Sequence, residues 1–249
     1  MISVVIPVYN LEKYIVPTLD SIASQNEPDM EIVLVDDMST DKSVSVIEEY
    51  ASSHPSLNIR LITPGKKLKA CGARNLGITE ASGRYIAFLD GDDLWNPGKI
   101  SKQMALMKKE NCGFTFTGYE FADENANPTG KVVKVPQTIT YKQALKNTTI
   151  FTSTVIFDTE IIPKAEIVFP DIKSEDTALW FKLLRKGYKA CGLNETMTLY
   201  RRTAGSLSAD KSDSARRIWN LYRQSEHLPV LYSAYCFVCW GFHAVLRRL

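Results

Sequence analysis

Two short apolar runs near the start of the chain are each followed by polar residues. Residues 2–8 (ISVVIPV) and 31–35 (EIVLV) are rich in β-branched side chains. Continuous apolar runs of this length are typical of buried parallel strands. Between them, apolar residues recur at helical spacing after Asn10, a candidate N-cap, although Pro17 would strain that helix or shift its start. The pattern therefore predicts the order strand, helix, strand.

The same alternation of strands and helices continues along the chain. The predicted elements are a helix capped by residues 39–41 and ending near 53, a strand at 58–63, a helix at 72–81 and a strand at 84–89. This alternation favours an α/β fold with a doubly wound, mostly parallel sheet. Ligands of such sheets bind beyond the carboxyl ends of the strands. We therefore expect residues 7–10, 36–37 and 90–93 to surround one crevice.

The pattern becomes less regular in the second half, which predicts a smaller, mixed region. A helix should run from Pro97 to about 110, before short strands at 113–121, 131–135 and 153–157. The polar turn ADENANPTGK favours an exposed hairpin tip. A further helix over 174–186 has Ser174 as predicted N-cap, two acids in its first turn and Gly187 as its stop.

The chain from Asp213 onward predicts one or two helices. Residues 228–246 contain no formally charged residue, and nineteen residues is about the minimum for a membrane span. Proline and polar residues within the segment weaken that interpretation. Abundant aromatics fit an interfacial helix better, with flanking arginines at 216, 217, 223, 247 and 248. Three hypotheses remain: a helix at a membrane surface or on a partner, a helix packed on its own domain, and a span.

Composition and charge exclude several functional classes. The 249 residues are 45% hydrophobic and 23% charged, which indicates one globular α/β domain with a C-terminal addition. A net charge of +2 is too small to predict a nucleic-acid partner. The first residues lack the features of a secretory signal, and the five cysteines are odd in number and widely spread. These features predict a cytoplasmic protein with free thiols.

An acidic cluster, Asp90-Gly91-Asp92-Asp93, directly follows the apolar strand YIAFL. Acids gathered this closely repel one another unless a cation or hydrogen-bond donors compensate. Mg²⁺ or Mn²⁺ suits such a cluster, because these ions take one or two carboxylates and complete their shells with water and phosphate oxygens. The alternative is an acidic turn that caps the helix after Pro97.

Four ordered segments carry a resemblance to a known family. They are VVIPVYN (4–10), VLVDDMSTD (33–41), ARNLG (73–77) and GRYIAFLDGDD (83–93). In order and spacing they resemble the nucleotide-binding half of family 2 glycosyltransferases of the GT-A fold. Four ordered motifs are more specific than any one of them alone. The resemblance is close over about the first hundred residues and looser over the remainder.

The resemblance implies a set of donor-binding residues. Pro7, Tyr9, Asp36 and Asp37 would line the base and ribose site, with a strand-end turn and a helix cap as the alternative role. Arg74 and Asn75 would reach the donor, unless Arg74 pairs with a nearby carboxylate. With Gly91 between them, Asp90 would bind the ribose or the metal shell, and Asp92 would coordinate the Mn²⁺ or Mg²⁺ that bridges both phosphates.

The resemblance also implies the residues on the acceptor side and around the leaving group. Asp176 would be the general base, with Glu175 and Trp180 on the acceptor side; the alternative is that the two acids only favour the helix N-terminus. Tyr200-Arg201-Arg202 and the loop with Ser206 and Ser208 resemble segments that would close over the diphosphate, with Arg202, Ser206 and Ser208 as its contacts. Many relatives have a histidine where this chain has Thr203, so only diphosphate contact is assigned there.

The implied activity is transfer of one sugar with inversion, from a nucleotide-diphosphate sugar, preferably a UDP-sugar, to a glycan or lipid-linked saccharide hydroxyl. Such an enzyme would serve cell-surface polysaccharide synthesis and lie peripherally at the inner face of the membrane. The expected division is a catalytic domain over 1–212, with halves 1–96 and 97–212, and C-terminal helices over 213–249.

Two other functions compete with this interpretation. A haloacid-dehalogenase-like phosphatase also has Asp-x-Asp after a strand, although Leu94-Trp95 follow here and the motif comes late in the chain. A non-catalytic sugar-nucleotide-binding protein would not need Asp90, Asp92 and Asp176 together. A dehydrogenase or a P-loop NTPase is disfavoured, because neither glycine-rich motif occurs.

Overall fold

The computed structural model describes residues 1–202 and 211–246, and its strands form one mixed sheet. The strands are β1 (Ile2–Val8), β2 (Met30–Asp36), β3 (Asn58–Ile62), β4 (Tyr85–Phe88), β5 (Leu94–Trp95), β6 (Phe114–Ala122), β7 (Pro128–Val133), β8 (Ile156–Asp158) and β9 (Ala190–Arg201). The helices are α1 (Ile15–Ala23), α2 (Ser43–Ser53), α3 (Lys69–Glu80), α4 (Lys99–Glu110), α5 (Tyr141–Ala144), α6 (Glu175–Arg185), α7 (Lys211–Asn220) and α8 (Val230–Leu246). A π-helical turn, Leu221–Ser225, follows α7 and leads toward α8.

The first half of the sheet is parallel and confirms the predicted α/β class. Its strand order is β3-β2-β1-β4, and every neighbouring pair in it is parallel. The apolar runs predicted as strands are therefore buried in a sheet interior. Because these strands run in one direction, the residues that follow β1, β2 and β4 meet at one edge, as predicted.

The second half continues the sheet with mixed directions. β8 is antiparallel to both β4 and β6, β6 is parallel to β9, and β5 is antiparallel to β9. The sequence pattern did not predict β9. Its pairing with β6 passes from Leu193 directly to Thr196, so Asn194 and Glu195 fall outside the regular register. This irregularity breaks the alternation by which a strand is identified.

The start of α1 differs from the prediction. The helix begins at Ile15, and Asn10 lies before it with a left-handed φ of 54°. The Asn10 Oδ1 accepts a hydrogen bond from the Thr40 backbone N–H at 2.8 Å, so Asn10 joins two loops and does not cap α1. Pro17 lies in the first turn of α1, where backbone N–H groups have no partner within the helix.

Ser174 occupies the predicted N-cap position of α6, but its side chain does not cap the helix. Ser174 precedes the helix with a φ of 63°, and its side chain makes no capping hydrogen bond. A capping serine normally has an extended backbone, which brings its oxygen to the free N–H groups of the first turn. The predicted stop is confirmed: Gly187 has a φ of 89°, a left-handed conformation that favours glycine.

Trp180, predicted to lie on the acceptor side, lies in the hydrophobic core instead. The Trp180 ring stacks on Phe114 and Phe157, with ring centroids 6.1 and 5.9 Å apart. Its side chain is fully buried. Trp180 therefore supports α6 from beneath and cannot contact an acceptor. The predicted place of Trp180 on the acceptor side is therefore wrong, because its side chain lies in the core.

The C-terminal helices pack on the same core through Ile218, Leu221, Tyr222 and Cys236. This contact supports the hypothesis that the segment packs on its own domain. A second face of α8 is exposed and apolar. Within residues 1–202 and 211–246, no helix has both the length and the apolar character needed to cross a membrane.

Candidate functional site

The predicted nucleotide-binding acids lie at the edge where β1 and β2 end. Asp36 is buried, and its carboxylate accepts the Ser39 N–H at 3.2 Å. The Asp37 N–H donates to the Val8 carbonyl at 2.7 Å, and the Asp37 carboxylate accepts the Leu68 N–H. Asp37 thus joins two strand ends to the loop before α3. These acids organise the loops around the predicted base and ribose site.

Tyr9 provides the open aromatic face at this edge. It is 45% exposed, and the Lys67 Nζ lies 3.7 Å from its ring centroid. Pro7 is half-buried within β1 and pairs with Val35 of β2. An aromatic ring beside a cation can stack on a base and attract phosphate.

The acid turn, residues 90–93, is anchored by Asp93, for which no separate role was predicted. Asp93 is fully buried; its carboxylate accepts the Ser153 hydroxyl at 2.6 Å and the Arg201 backbone N–H at 3.0 Å. Ser153 Oγ also accepts the Asp90 N–H at 3.1 Å. Burial raises the pKa of Asp93 well above its usual range, and Asp92 and Asp90 add to the shift. Asp93 therefore holds the turn in place.

The charge of Asp92 is only partly compensated by its surroundings. Burial raises its pKa to about 6, the Asp90 charge adds to the shift, and Arg201 and Arg74 oppose it. Among the residues described, no other side chain donates a hydrogen bond to its carboxylate. A further cation beside Asp92 and Asp90 would relieve this repulsion, so the pair fits a divalent ion.

The set of protein ligands for such an ion is small. In the part of the chain that the structure describes, no group of three or more His, Cys, Asp or Glu side chains is placed to hold a metal. An ion at Asp90 and Asp92 would depend on phosphate and water oxygens for its remaining ligands. Mg²⁺ and Mn²⁺ bind with diphosphates in this way.

Arg74 connects the acid turn to the start of α6. Its side chain is buried; Nη2 lies 2.6 Å from Asp90 Oδ1, and Nη1 lies 3.0 Å from Glu175 Oε1. The carboxylate pairing that the sequence left as an alternative is therefore present. The predicted contact between Arg74 and a donor stays a prediction. The guanidinium places one positive charge between the two halves of the crevice.

Asn75 holds the loop that leads into α6. Its Nδ2 donates to the Phe169 carbonyl and its Oδ1 accepts the Phe169 N–H, both at 2.8 Å. Both ends of the amide are therefore engaged with backbone, and the predicted donor contact of Asn75 stays a prediction. The observed contact gives Asn75 a positioning role.

Asp176 lies in the first turn of α6, half-buried beside Glu175. Burial raises the pKa of Asp176, while the Thr177 N–H, 2.6 Å away, and Arg74 oppose the shift. Burial and the Asp176 charge likewise raise the pKa of Glu175. A carboxylate with raised pKa is a stronger base than an exposed one, which suits proton abstraction.

Arg201 belongs to the predicted segment Tyr200-Arg201-Arg202, but only its neighbour Arg202 was predicted as a donor-binding residue. Arg201 is buried, its guanidinium carbon lies 5.0 Å from the Tyr14 ring centroid, and it lowers the pKa of Asp92. The predicted residue, Arg202, is exposed and lies against Phe121, 4.9 Å from the ring centroid. Neighbouring strand residues point to opposite faces, so recognising β9 would have identified Arg201. Ser206 and Ser208 lie outside the described residues.

Gly91 lies in a closely packed position under the acid turn. A Cβ built on it would lie 2.4 Å from Leu11 Cδ1. The Gly91 carbonyl accepts the Thr18 hydroxyl at 3.0 Å. These contacts bring α1 against the turn. The predicted donor contact of Gly91 stays a prediction.

Comparison with known sequences identifies close relatives. Residues 3–160 match the family model of glycosyl transferase family 2. The chain is 36% identical over 250 residues to the putative teichuronic acid biosynthesis glycosyltransferase TuaG of Bacillus subtilis (strain 168), covering 100% of this chain and 98% of that protein. It is 39% identical over 211 residues to the UDP-Glc:alpha-D-GlcNAc-diphosphoundecaprenol beta-1,3-glucosyltransferase WfaP of Escherichia coli, covering 85% and 81%.

Solved structures with the same fold confirm the predicted GT-A architecture. S. aureus TarS 1-349 in complex with UDP-GlcNAc gives a TM-score of 0.70 at 22% identity, covering 94% of this chain and 69% of that one. The mannosyltransferase PcManGT from Pyrobaculum calidifontis, in complex with GDP-Man and Mn²⁺, gives 0.73 at 20% identity, covering 92% and 64%. None of these comparisons supports a phosphatase or a non-catalytic protein.

We predict that Asp92→Asn raises the melting temperature of the metal-free protein at pH 7. The folded pKa of Asp92, about 6, exceeds the ordinary aspartate pKa of 3.8. Between these values the folded state binds more protons than the unfolded state, so stability falls as pH rises through this window. Above this pH window, the buried and charged Asp92 carboxylate destabilises the folded state to its full extent. The asparagine variant has no charge there and lacks this cost. Thermal melts in chelator from pH 4 to 8, in roughly unit steps, measure the difference.

The control for this prediction is Asp29→Asn, which removes an exposed acid that pairs with the chain's amino terminus at 2.5 Å. The change in melting temperature caused by Asp29→Asn should not follow the pH window expected for Asp92→Asn. Mn²⁺ should stabilise wild type more than Asp92→Asn. A variant that melts below wild type at pH 7 in chelator would show that Asp92 is already well compensated.

Proposed function

We propose, from the premise that this chain belongs to glycosyl transferase family 2, that it transfers a monosaccharide from a UDP-sugar to a hydroxyl of a lipid-linked saccharide. Glycosyl transfer is the activity of its relatives. WfaP and WfgD are named for transfer from UDP-Glc to GlcNAc-diphosphoundecaprenol, and TuaG for teichuronic acid biosynthesis. These names support a role in cell-surface polysaccharide synthesis.

The observation that carries the proposal is the joining of two acidic groups by one guanidinium. Arg74 contacts Asp90 at 2.6 Å and Glu175 at 3.0 Å, so the acid turn and the start of α6 face a common crevice. Asp176 follows Glu175 directly. Sugar transfer needs one group of residues at the leaving diphosphate and a base at the attacking hydroxyl, on opposite sides of the sugar. The acid turn would serve the first and the start of α6 the second.

The donor would occupy the edge formed by the ends of β1, β2 and β4. Asp37, with Asp36 beneath it, would accept the imide N–H of uracil or a ribose hydroxyl, and Tyr9 and Pro7 would contact the base. Lys67, which lies over Tyr9, would face the phosphates. In this proposal Asn75 and Gly91 position the loops, and Arg202, Ser206 and Ser208 close over the diphosphate.

Asp92, with Asp90, would hold Mn²⁺ or Mg²⁺. When bound, the ion neutralises charge that develops on the leaving diphosphate. Arg201 adds a fixed positive charge near Asp92, and Arg74 adds another near Asp90. These cations would stabilise the departing nucleotide in the same crevice.

Asp176 would act as the general base. Its carboxylate takes the proton of the acceptor hydroxyl as that oxygen forms a bond to the anomeric carbon. The bond between that carbon and the diphosphate oxygen breaks at the same time, and the nucleoside diphosphate leaves. A single displacement inverts the anomeric configuration.

We predict that transfer requires a divalent ion and that Asp92→Asn lowers kcat by more than about 100-fold, because charge stabilisation by a metal contributes several kcal/mol. Nucleotide release from UDP-, GDP- and TDP-sugars is measured with Mn²⁺, with Mg²⁺ and with chelator. Asp29→Asn, whose side chain is 71% exposed, is the matched control and should retain wild-type turnover. Full activity in chelator, or in Asp92→Asn, would contradict the metal role.

We predict that Asp176→Asn lowers the transfer rate by about 10²–10⁴-fold while donor binding is retained, because a base acts mainly in the transition state. Donor affinity is measured by calorimetry, and transfer by product formation. In wild type, the rate should rise with pH through a pKa above that of an ordinary aspartate, since the base must be deprotonated. A product with retained anomeric configuration by NMR would exclude the mechanism.

The exposed face of α8 supports a position at the cytoplasmic face of a membrane. Its exposed apolar side chains recur at helical spacing and are Leu231, Tyr235, Val238, Phe242 and Val245. We call this set the α8 stripe. Lys146 lies beside it, with Nζ 4.9 Å from the Tyr235 ring centroid. An apolar stripe bordered by a cation suits an anionic lipid surface. Arg247 and Arg248, predicted to flank it, lie outside the described residues.

We predict that wild type floats with anionic liposomes at low salt and that Val238→Glu with Phe242→Glu reduces bound protein by at least about tenfold, because each apolar side chain contributes roughly 1.5–3 kcal/mol when buried. Truncation is unsuitable, since Tyr222 and Cys236 belong to the core. Val132→Glu, at a 45% exposed position on β7, is the control. Wild type that remains with the unbound fraction would refute the membrane contact.

A further inference from the structure

A cavity with a volume of about 630 Å³ lies beside the acceptor side of the crevice. One wall is the loop that leads into α6, through Pro170, Ile172 and Lys173. The other wall is formed by α7 and the π-helical turn. Its volume falls within the range of small-molecule sites. Nothing in the proposed donor site uses these residues.

Most of the charged side chains that line this cavity are basic. Among the residues that the structure describes, the lining contains Lys173, Arg216 and Arg217 and one carboxylate, Asp213. Asp213 lies between two of these cations, with Oδ1 2.9 Å from Lys173 Nζ and Oδ2 3.0 Å from Arg217 Nε. Arg216 is exposed and has no ion pair with another described residue. The remaining polar lining, Asn220, Gln224 and Ser225, can also donate hydrogen bonds.

The loop sets this cavity next to the proposed general base. Lys173 precedes Asp176 by three residues, so their Cα atoms are at most roughly 11 Å apart. The same loop is tied to α3, where Lys69 Nζ lies 3.0 Å from Asp171 Oδ1. One loop therefore contacts the donor half through Asp171 and the cavity through Lys173. A ligand group in the cavity would lie within reach of a sugar at Asp176.

We propose that this cavity binds the diphosphate through which the acceptor saccharide is attached to its lipid. The inference rests on the proposed function and specifies which part of the acceptor is recognised. Each phosphate of such a diester carries a negative charge, which matches an excess of cations over carboxylates. Arg216, which is not neutralised by Asp213, would form the main contact, because a guanidinium binds phosphate oxygens in a bidentate manner.

The connection to α8 supports this occupant over a free phosphate. The π-helical turn that lines the cavity runs on toward α8, which carries the α8 stripe. A diphosphate held at Arg216 would leave its lipid on the side of the C-terminal helices and its sugar on the side of Asp176. Free phosphate would use the cations without the apolar lining, which includes Ile172 and Leu221.

The binding test uses farnesyl diphosphate as the probe, with UDP and Mn²⁺ at saturation so that the donor site is filled. Calorimetry should give saturable binding to wild type and about tenfold weaker binding to Arg216→Ala, with partial recovery in Arg216→Lys. Lys108→Ala, an exposed cation on α4, is the matched charge control and should bind as wild type. Inorganic phosphate binding as tightly as farnesyl diphosphate would contradict a lipid-diphosphate site.

The kinetic test compares two acceptors with the same sugar, one linked to lipid through diphosphate and one an alkyl glycoside. Arg216→Ala should raise KM about tenfold for the first acceptor only, and should leave kcat and donor hydrolysis unchanged. If wild type does not hydrolyse the donor at all, the proposed function is wrong, whatever the binding test gives. Wild type that transfers equally well to both acceptors and does not bind farnesyl diphosphate would overturn the inference and leave the proposed function intact.

Discussion

The crevice depends on one buried guanidinium between two carboxylates. Arg74 approaches Asp90 to 2.6 Å and Glu175 to 3.0 Å, and its side chain is only 8% exposed. The first carboxylate follows the parallel half of the sheet, and the second begins a helix of the mixed half. Without the guanidinium, two half-buried carboxylates would face each other uncompensated, at a cost of several kcal/mol. The relative position of donor and acceptor sides therefore rests on this contact.

Burial has different consequences for the acids around that contact. It raises the pKa of Asp92, which prepares a position for a cation, and the pKa of Asp176, which makes that carboxylate a better base. Asp93 is equally acidic by sequence but is held by Ser153 and the Arg201 backbone, so it serves the turn itself. Differences in burial and in nearby hydrogen-bond donors thus give three aspartates three different roles.

The C-terminal helices join the crevice to an exposed apolar surface. Tyr222 and Cys236 join them to the core. Their outer face carries the α8 stripe, and their inner side lines a basic cavity next to the loop that leads to Asp176. One structural unit therefore combines an apolar surface, a group of cations and a contact with the acceptor side. This combination suits an acceptor that is both charged and lipid-linked.

The sequence by itself determined the parallel half of the sheet, the acid turn and the acids that open α6, because apolar runs and adjacent motifs encode local structure. Tertiary structure alone decided which side chains face the crevice. Trp180 follows the acids yet is buried, and Arg201, not the predicted Arg202, faces Asp92. Asn75 contacts Phe169, far along the chain. Such choices depend on packing between distant segments, which no local pattern of residues records.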